Sequence, residues 1–179
     1  DKALTVTGDV IVGSGTAVLT LNDSVVALGA LKIDSSTATV TATSSGTLNI
    51  TTGSVFGAST NYSILNSGGH LNHAGTMTIS GGVYWSIIGA TSTVNDVVIA
   101  DSSHSYVGAP TIGGDLTVNA SKKLQSYGGT QTLIVTGDVL LNGELDLNGG
   151  TAADLTCGSL TIADGGEYTA HASGTTTLT

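Results

Sequence analysis

Apolar and polar residues alternate along most of this chain in short runs, and many of the runs begin with one five-residue phrase. The phrase is glycine, any residue, an apolar residue, any residue and a second apolar residue. Its copies are GDVIV, GALKI, GTLNI, GTMTI, GDLTV, GDVLL and GSLTI, which begin at Gly8, Gly29, Gly46, Gly75, Gly114, Gly137 and Gly158, with a weaker copy, NDVVI, at Asn95. Alternation with a period of two predicts β-strands that are buried on one face.

The spacing of the phrase predicts how the strands are arranged. From Gly8 to Gly158 the chain advances 150 residues in seven steps, which gives a mean period of about 21 residues. No stretch of ten or more residues has the apolar period of a helix. Hairpin architectures are less favoured, because one strand phrase at one coil length puts equivalent strands in register. We therefore predict an all-β fold, a parallel β-helix (β-solenoid) of about eight coils of about 21 residues.

The predicted strands are short and are separated by turns rich in glycine, serine and asparagine. They cover residues 4–7, 9–12, 17–21, 31–33, 38–43, 47–50, 76–79, 97–100, 115–118, 132–136, 144–147 and 159–162. The longest near-copy pairs LTVTGDVIV, from Leu4, with LIVTGDVLL, from Leu133. We predict one β-solenoid domain over residues 1–179. Within it, residues 53–112 are less regular and include a protruding loop near residues 54–72.

Charge is sparse and strongly acidic. The chain has four lysines, no arginine and thirteen carboxylates, for a formal net charge of −9. A nucleic-acid-binding surface needs a basic stripe, so we expect no nucleic-acid partner. No apolar run approaches the roughly 20 residues of a transmembrane helix, so we expect no direct membrane insertion. Low charge suits stacked coils, because equal charges would otherwise repel one another at every level.

Neither the single cysteine nor the start of the chain indicates a catalytic or binding function. We expect Cys157, which directly precedes a copy of the phrase, to be a small buried residue. Few cysteines, few charges and many threonines are typical of an extracellular surface protein. The chain begins at Asp1 and shows no signal-peptide pattern, so we expect a processed or excised segment.

Two groups of residues invite a catalytic or metal-binding interpretation. His70 and His73 have an HxxH spacing, but residues three apart on a strand point to opposite faces, so we interpret both as solvated turn histidines. Glu144 and Asp146 share a strand face, with Asp138 on a neighbouring segment, whereas glycoside hydrolysis needs two carboxyl groups facing one groove. A polysaccharide-cleaving enzyme is a less favoured alternative. We expect no catalytic residue, no metal site and no cofactor.

Three surface features suggest binding or modification. Pairs of threonines suggest an ice-binding face, but they fall at different phases relative to the phrase glycine, so this alternative is also less favoured. Aromatic residues concentrate in the irregular segment, where they serve either as glycan or receptor contacts or as interior packing. The candidate contacts are Tyr62, Tyr84, Trp85 and Tyr106. Sequons that permit N-glycosylation lie at Asn22, Asn49, Asn61 and Asn119.

Both ends of the chain are strand-like and carry none of the usual solenoid caps, such as an amphipathic helix, a charged edge or a proline. We expect head-to-tail association, in which the C-terminal coil of one copy templates the N-terminal coil of the next to form an open filament. The competing interpretation is an excised portion of a longer β-helical chain. The predicted subunit contacts are Leu4, Val6, Val10, Val12, Leu160, Ile162 and Leu178.

The G-x-L-x-V repeats, with their TGDV and NGELDLNGG turns, resemble the right-handed β-helices of bacterial filamentous adhesins, autotransporter passengers and phage fibres. The resemblance is strongest over residues 4–51 and 113–179. It implies an extracellular, cell-surface or virion-borne protein that is structural or adhesive. Our first expectation is a structural subunit that stacks on itself. The alternative is an adhesin module that binds cell-surface glycans.

Overall fold

The computed structural model describes residues 3–13, 16–21, 25–33, 38–42, 47–51, 54–55, 61–66, 70–80, 84–86, 93–100, 103–107 and 110–179, and all structural statements concern these residues. They form strands and turns without any helix. In chain order the strands are β1 (Ala3–Thr5), β2 (Val10–Val12), β3 (Val18–Leu21), β4 (Val25–Leu28), β5 (Leu31–Ile33), β6 (Thr39–Ala42), β7 (Thr47–Ile50), β8 (Ser54–Val55), β9 (Asn61–Asn66), β10 (His70–Ile79), β11 (Tyr84–Ser86), β12 (Thr93–Ile99), β13 (Ser103–Val107), β14 (Thr111–Ile112), β15 (Leu116–Val118), β16 (Lys123–Ser126), β17 (Thr130–Val135), β18 (Asp138–Leu141), β19 (Glu144–Asp146), β20 (Ala152–Cys157), β21 (Ser159–Ile162), β22 (Glu167–Thr169) and β23 (Thr176–Leu178).

These strands wind into a parallel β-solenoid with three sides, which confirms the predicted fold class. Side A stacks β1, β4, β7, the second half of β10, the second half of β12, β15, β18 and β21. Side B stacks β2, β5, β9, β11, β13, β16, β19 and β22. Side C stacks β3, β6, the first half of β10, the first half of β12, β14, β17, β20 and β23. One described pair is antiparallel, β8 with β9.

The prediction of about eight coils is too high, because the solenoid has about six regular turns. In two middle levels, side C is reduced to two paired residues. There β12 contributes only Thr93 and Val94 to the pairing with β10, and β14 consists of Thr111–Ile112. The other levels have strands of at least three residues on each side. The difference is small, since each side continues its stack through these two levels.

The core consists of ladders in which each apolar side chain meets its equivalent one level above and below. Side A has two unbroken interior ladders. One runs through Leu4, Val26, Leu48, Met77, Val97, Leu116, Val139 and Leu160. The other contains Leu28, Ile50, Ile79, Ile99, Val118, Leu141 and Ile162. Strands about 4.8 Å apart place these side chains in van der Waals contact, which is why their middle members are fully buried.

The phrase that predicted the fold does not occupy one position in it. The copies at Gly8 and Gly29 lead into side B, whereas those at Gly114, Gly137 and Gly158 lead into side A. Consequently, the near-copies from Leu4 and Leu133 are not structural equivalents: the first spans sides A and B, and the second spans sides C and A. The phrase specifies a corner followed by a half-buried strand. Its copies lead into two of the three sides, B and A.

The prediction that His73 is a solvated turn residue is wrong. His73 lies within β10, is 4% exposed, and is paired with Ala42 below and Val94 above in the side-C stack. The strand runs from side C into side A with a register shift between His73 and Thr76 in place of a turn. Both imidazole nitrogens lack a hydrogen-bond partner among the described residues. The side chain of His70 and residues 56–60 and 67–69 of the predicted loop lie outside the described part of the chain.

Candidate functional site

The two end coils differ from the rest of the solenoid in how well their interior is covered. We define the first coil as β1–β3 and the last coil as β21–β23. Among the described residues, the apolar side chains that pack on the core while remaining partly exposed all belong to one of them. These residues are Leu4, Val6, Val10, Ala17, Leu19, Leu160 and Tyr168. Each therefore lacks the neighbour that its equivalents have in the middle levels.

Among the inward-facing apolar residues, the exposure is greatest in the last coil. Ile162 is 49% exposed and Leu178 is 60% exposed, although both stand at the end of buried ladders, on Leu141 and Cys157 respectively. In the first coil, the predicted contact Val12 is already buried, at 6% exposure. The structure thus brings the predicted contact residues together as two groups, one at each end. Within the described residues, the outer edges of these six strands also have no strand beside them.

The four candidate aromatic residues all lie on side B, at three consecutive levels. Tyr62 of β9 is paired in register with Tyr84 of β11, and Trp85 of β11 is paired with Tyr106 of β13. Adjacent strands lie about 4.8 Å apart, so each pair is a close juxtaposition of two aromatic positions. Their side chains lie outside the described part of the structure. The backbone therefore places the four positions on one side of the rod.

Above these positions, the outer surface of side B carries an ion-pair cluster. Lys123 Nζ lies 2.7 Å from Glu144 Oε1 and 2.8 Å from Asp146 Oδ2. Glu167 stands one level further, in register with Glu144. The corner beside the cluster holds an open polar cavity of about 330 Å³, which Ser121, Lys122, Lys123, Gly143, Glu144, Gly165 and Glu167 line.

The ion pairs shift the pKa values of Lys123 and Asp146. Hydrogen bonds to Asp146 and Glu144 raise the pKa of Lys123 above its ordinary value. Partial burial alone would raise the pKa of Asp146, but the hydrogen bonds from Lys123 and from the Asn148 backbone N–H outweigh it and lower that pKa. Both shifts favour the charged forms of Lys123 and Asp146. The carboxylates of Glu144 and Asp146 are therefore engaged as acceptors by one ammonium group.

Asp138, the third carboxylate considered for catalysis, lies on side A, away from the other two. It belongs to a series of aspartates at the corner between sides C and A, each of which accepts a hydrogen bond from the next level. Asp96 accepts the backbone N–H of Asp115, Asp115 accepts that of Asp138, and Asp138 accepts the hydroxyl of Ser159. Asp96 and Asp115 thus satisfy backbone donors at the start of the next level, and Asp138 satisfies a side-chain hydroxyl there. The structure does not place all three candidate carboxylates together.

Cys157 and the sequons complete the sequence-derived candidates. Cys157 is fully buried, as predicted, and burial raises the pKa of its thiol. Asn49 and Asn119 are half-buried, on side A and at the corner between sides A and B. Asn61 begins β9, and Asn22 lies outside the described residues. Among the described residues, no cluster of three or more histidine, cysteine, aspartate or glutamate side chains is arranged to hold a metal ion.

Sequence reasoning missed a column of register positions on side C that threonines mostly occupy. One run of register positions contains Thr20, Thr41, Asn72 and Thr93. A second run contains Thr111, Ile134, Thr156 and Thr177. The phrase glycine precedes side B in some coils and side A in others, so the phase of a threonine relative to it does not identify the side on which that threonine lies. A coil-by-coil alignment of the sequence at the corners would have revealed the column.

Comparison with known proteins adds no assignment to this geometry: no family model, no curated protein and no solved structure matches the chain. In the part of the chain that the structure describes, no helix is long and apolar enough to cross a membrane.

Proposed function

We propose that this protein is an extracellular structural subunit, a β-solenoid that stacks head-to-tail on copies of itself to form a filament or surface fibre. The observation that carries the proposal is the confinement of partly exposed core residues to the first and last coils. An interior ladder gains stability from each further level, and here the ladders stop with their last members half covered. A second copy offers the same three-sided cross-section in the same strand direction.

The energetics favour stacking on these ends over leaving them in water. Full burial of a leucine or isoleucine contributes about 1.5–3 kcal/mol, so covering the exposed halves of Ile162 and Leu178 contributes about 1 kcal/mol each. Backbone groups on three strand edges would gain partners at the same time, at roughly 0.5–1.5 kcal/mol for each hydrogen bond. These gains oppose the cost of association, which is roughly 4–15 kcal/mol. Side-chain burial and edge pairing must therefore act together.

The test is the size of the purified protein as a function of concentration, for the native chain and for Leu178→Lys. Lysine at this exposed position places a charge on the end of the side-C ladder, so we expect it to prevent assembly while leaving the free energy of unfolding within about 0.5 kcal/mol. Leu140→Lys is the matched control, because Leu140 is an exposed leucine on the flank of the rod. A native chain that stays monomeric at every concentration would contradict the proposal.

The paired aromatic positions on side B favour a second candidate function, a glycan-binding module of an adhesin or fibre. Aromatic rings in neighbouring strands form a platform on which sugar rings stack. Binding of the native chain to an array of cell-surface glycans, lost in Tyr62→Ala and Tyr84→Ala and retained in Tyr127→Ala, would support it. Tyr84 shares its register column with Asp146 on the outer surface of side B, whereas Trp85 and Tyr106 share theirs with the buried Leu31 and Ser126. Tyr127 is a matched control because it is an exposed tyrosine at a different corner. Equal binding by all the variants would exclude this surface.

A further inference from the structure

We infer that copies of this chain join in one fixed register, with β1 of one copy seated on β21 of the previous copy and β3 seated on β23. This inference rests on the proposed head-to-tail assembly and deepens it. It names the residues that meet at the junction.

Side A carries the first part of the argument. Leu4 and Leu160 are the two ends of one interior ladder, so one further level places the next copy's Leu4 on Leu160. Val6, whose N–H bonds to Ala27 O, continues the parallel pairing of β1, and the same step places it on Ile162. Between them, on the outer face, Thr5 meets Thr161. All three contacts join residues of the same class.

The residues of side C give the same register as those of side A. Thr20 and Leu21 lie in the first coil at the positions that Thr177 and Leu178 hold in the last coil. One further level therefore places an apolar residue on Leu178, the most exposed member of the last coil's interior, and a threonine on Thr177. It also extends the threonine column of side C from one copy to the next.

The one polar contact in the interior of the junction is satisfied within its own chain. Thr176 would lie beneath Leu19 of the next copy, and its hydroxyl is hydrogen-bonded to the hydroxyl of Tyr168. Its methyl group is then free to contact Leu19. No buried hydroxyl is left without a partner at this position.

Strand direction selects the polarity of the junction. All the pairs between coils on sides A and C are parallel. A head-to-tail junction continues that pattern, whereas joining two like ends would reverse it and bring the ladders out of register. The corner between sides A and B is longer in the last coil, at residues 163–166, than in the first, at residues 7–9. Sides A and C therefore set the register.

Paired cysteine variants test the register directly. Thr5→Cys with Thr161→Cys, and Thr20→Cys with Thr177→Cys, place thiols on neighbouring strands, where Cα atoms about 5 Å apart suit a disulfide. We expect oxidation with diamide to convert each assembled double variant into a ladder of covalent oligomers. The two positions of each pair lie at opposite ends of one chain, so a bridge can form only between copies. All four threonines are exposed, so the substitutions leave the core intact.

Ala3→Cys with Thr161→Cys is the off-register control. Ala3 is two residues from Thr5 on the same face, which moves the thiols beyond disulfide reach, so we expect few crosslinks. Each single variant controls for reaction at Cys157. Filaments that crosslink through Ala3 and not through Thr5, or through neither predicted pair, would overturn the register while leaving assembly intact. A chain that forms no filaments would overturn the proposed function as well.

Discussion

At the scale of single residues, the outer surface of side B shows how this chain uses its few charges. Lys123 is one of four lysines, and it holds two carboxylates from the next level. The side chains of Lys123, Glu144 and Asp146 are 26%, 32% and 21% exposed, so water screens the pairs only in part. The cluster offsets the repulsion that stacked carboxylates would otherwise cause between adjacent levels.

We expect Lys123→Met to lower the free energy of unfolding at pH 7 by about 0.5–1 kcal/mol, because it leaves two neighbouring carboxylates without their cation. The lowered pKa of Asp146 gives stability that is present above its ordinary pKa, about 3.9, and is lost as the pH falls through the folded value. The raised pKa of Lys123 gives stability that is present below about pH 10.4 and is lost as the pH rises through the folded value.

Urea denaturation at a series of pH values checks this prediction. The difference between the native chain and Lys123→Met should be largest between about pH 4 and pH 10 and should shrink outside that range. Lys123→Arg, which keeps the charge, should retain most of the stability. A difference that does not change with pH would show that the aliphatic stem of Lys123, rather than its charge, stabilises the fold.

At the scale of the elements, the corners decide how closely successive coils approach. A Cβ added to Gly137 would lie against Asp115 Oδ1 and 2.8 Å from the backbone oxygen of Gly114, one level below. A Cβ added to Gly8, in the first coil, would meet nothing within 4 Å. These two glycines share the sequence TGDV and differ in what lies beneath them.

This contrast predicts opposite outcomes for one substitution in two matching sequences. We expect Gly137→Ala to destabilise the protein by about 1–3 kcal/mol, because the backbone of the neighbouring coil and the hydrogen bond from the Asp138 N–H to Asp115 must shift. Gly8→Ala should change the stability by less than about 0.5 kcal/mol. Thermal unfolding of the dilute monomer measures both effects. Equal destabilisation would mean that the TGDV sequence itself, rather than stacking, requires glycine.

At the scale of the whole molecule, two features act on the proposed assembly in opposite directions: the exposed end coils favour it and the net negative charge opposes it. In the proposed assembly, stacking would cover the interior ladders at each end, whereas copies with a formal charge of −9 would repel one another. The end ladders are short-range contacts, while the repulsion acts over a Debye length, about 8 Å at physiological ionic strength. Salt therefore weakens the term that opposes assembly and leaves the contacts that favour it.

We expect the critical concentration for assembly to fall as sodium chloride is raised from low to physiological concentration. Light scattering at fixed protein concentration measures this change. Leu178→Lys, which damages the end itself, should stay unassembled across the same range. Assembly that weakens with added salt would instead indicate that ion pairs hold the junction.

The fold could be predicted from the sequence because each strand has a period-two pattern, and because a period of about 21 residues recurs without helices. The burial of Cys157 was predicted from its position directly before a copy of the phrase. His73 could not be placed in this way, since Gly75 resembles a corner, whereas β10 passes through it as a continuous strand. The threonine column and the ion-pair cluster of Lys123 were also missed, because they join residues about one coil apart whose alignment depends on the length of each corner.

By itself, the sequence determined the class of structure: short half-buried strands, tight corners and a period of about 21 residues that favours stacked coils. It did so because alternation and turn chemistry are local properties of the chain. The tertiary structure alone decided which side each strand occupies, and hence that two near-identical segments, from Leu4 and Leu133, lie on different sides of the rod. It also decided that the ladders end half covered at both terminal coils. The lengths of the corners together determine which residues of successive coils lie in register. The sequence of a single segment therefore does not reveal its contacts.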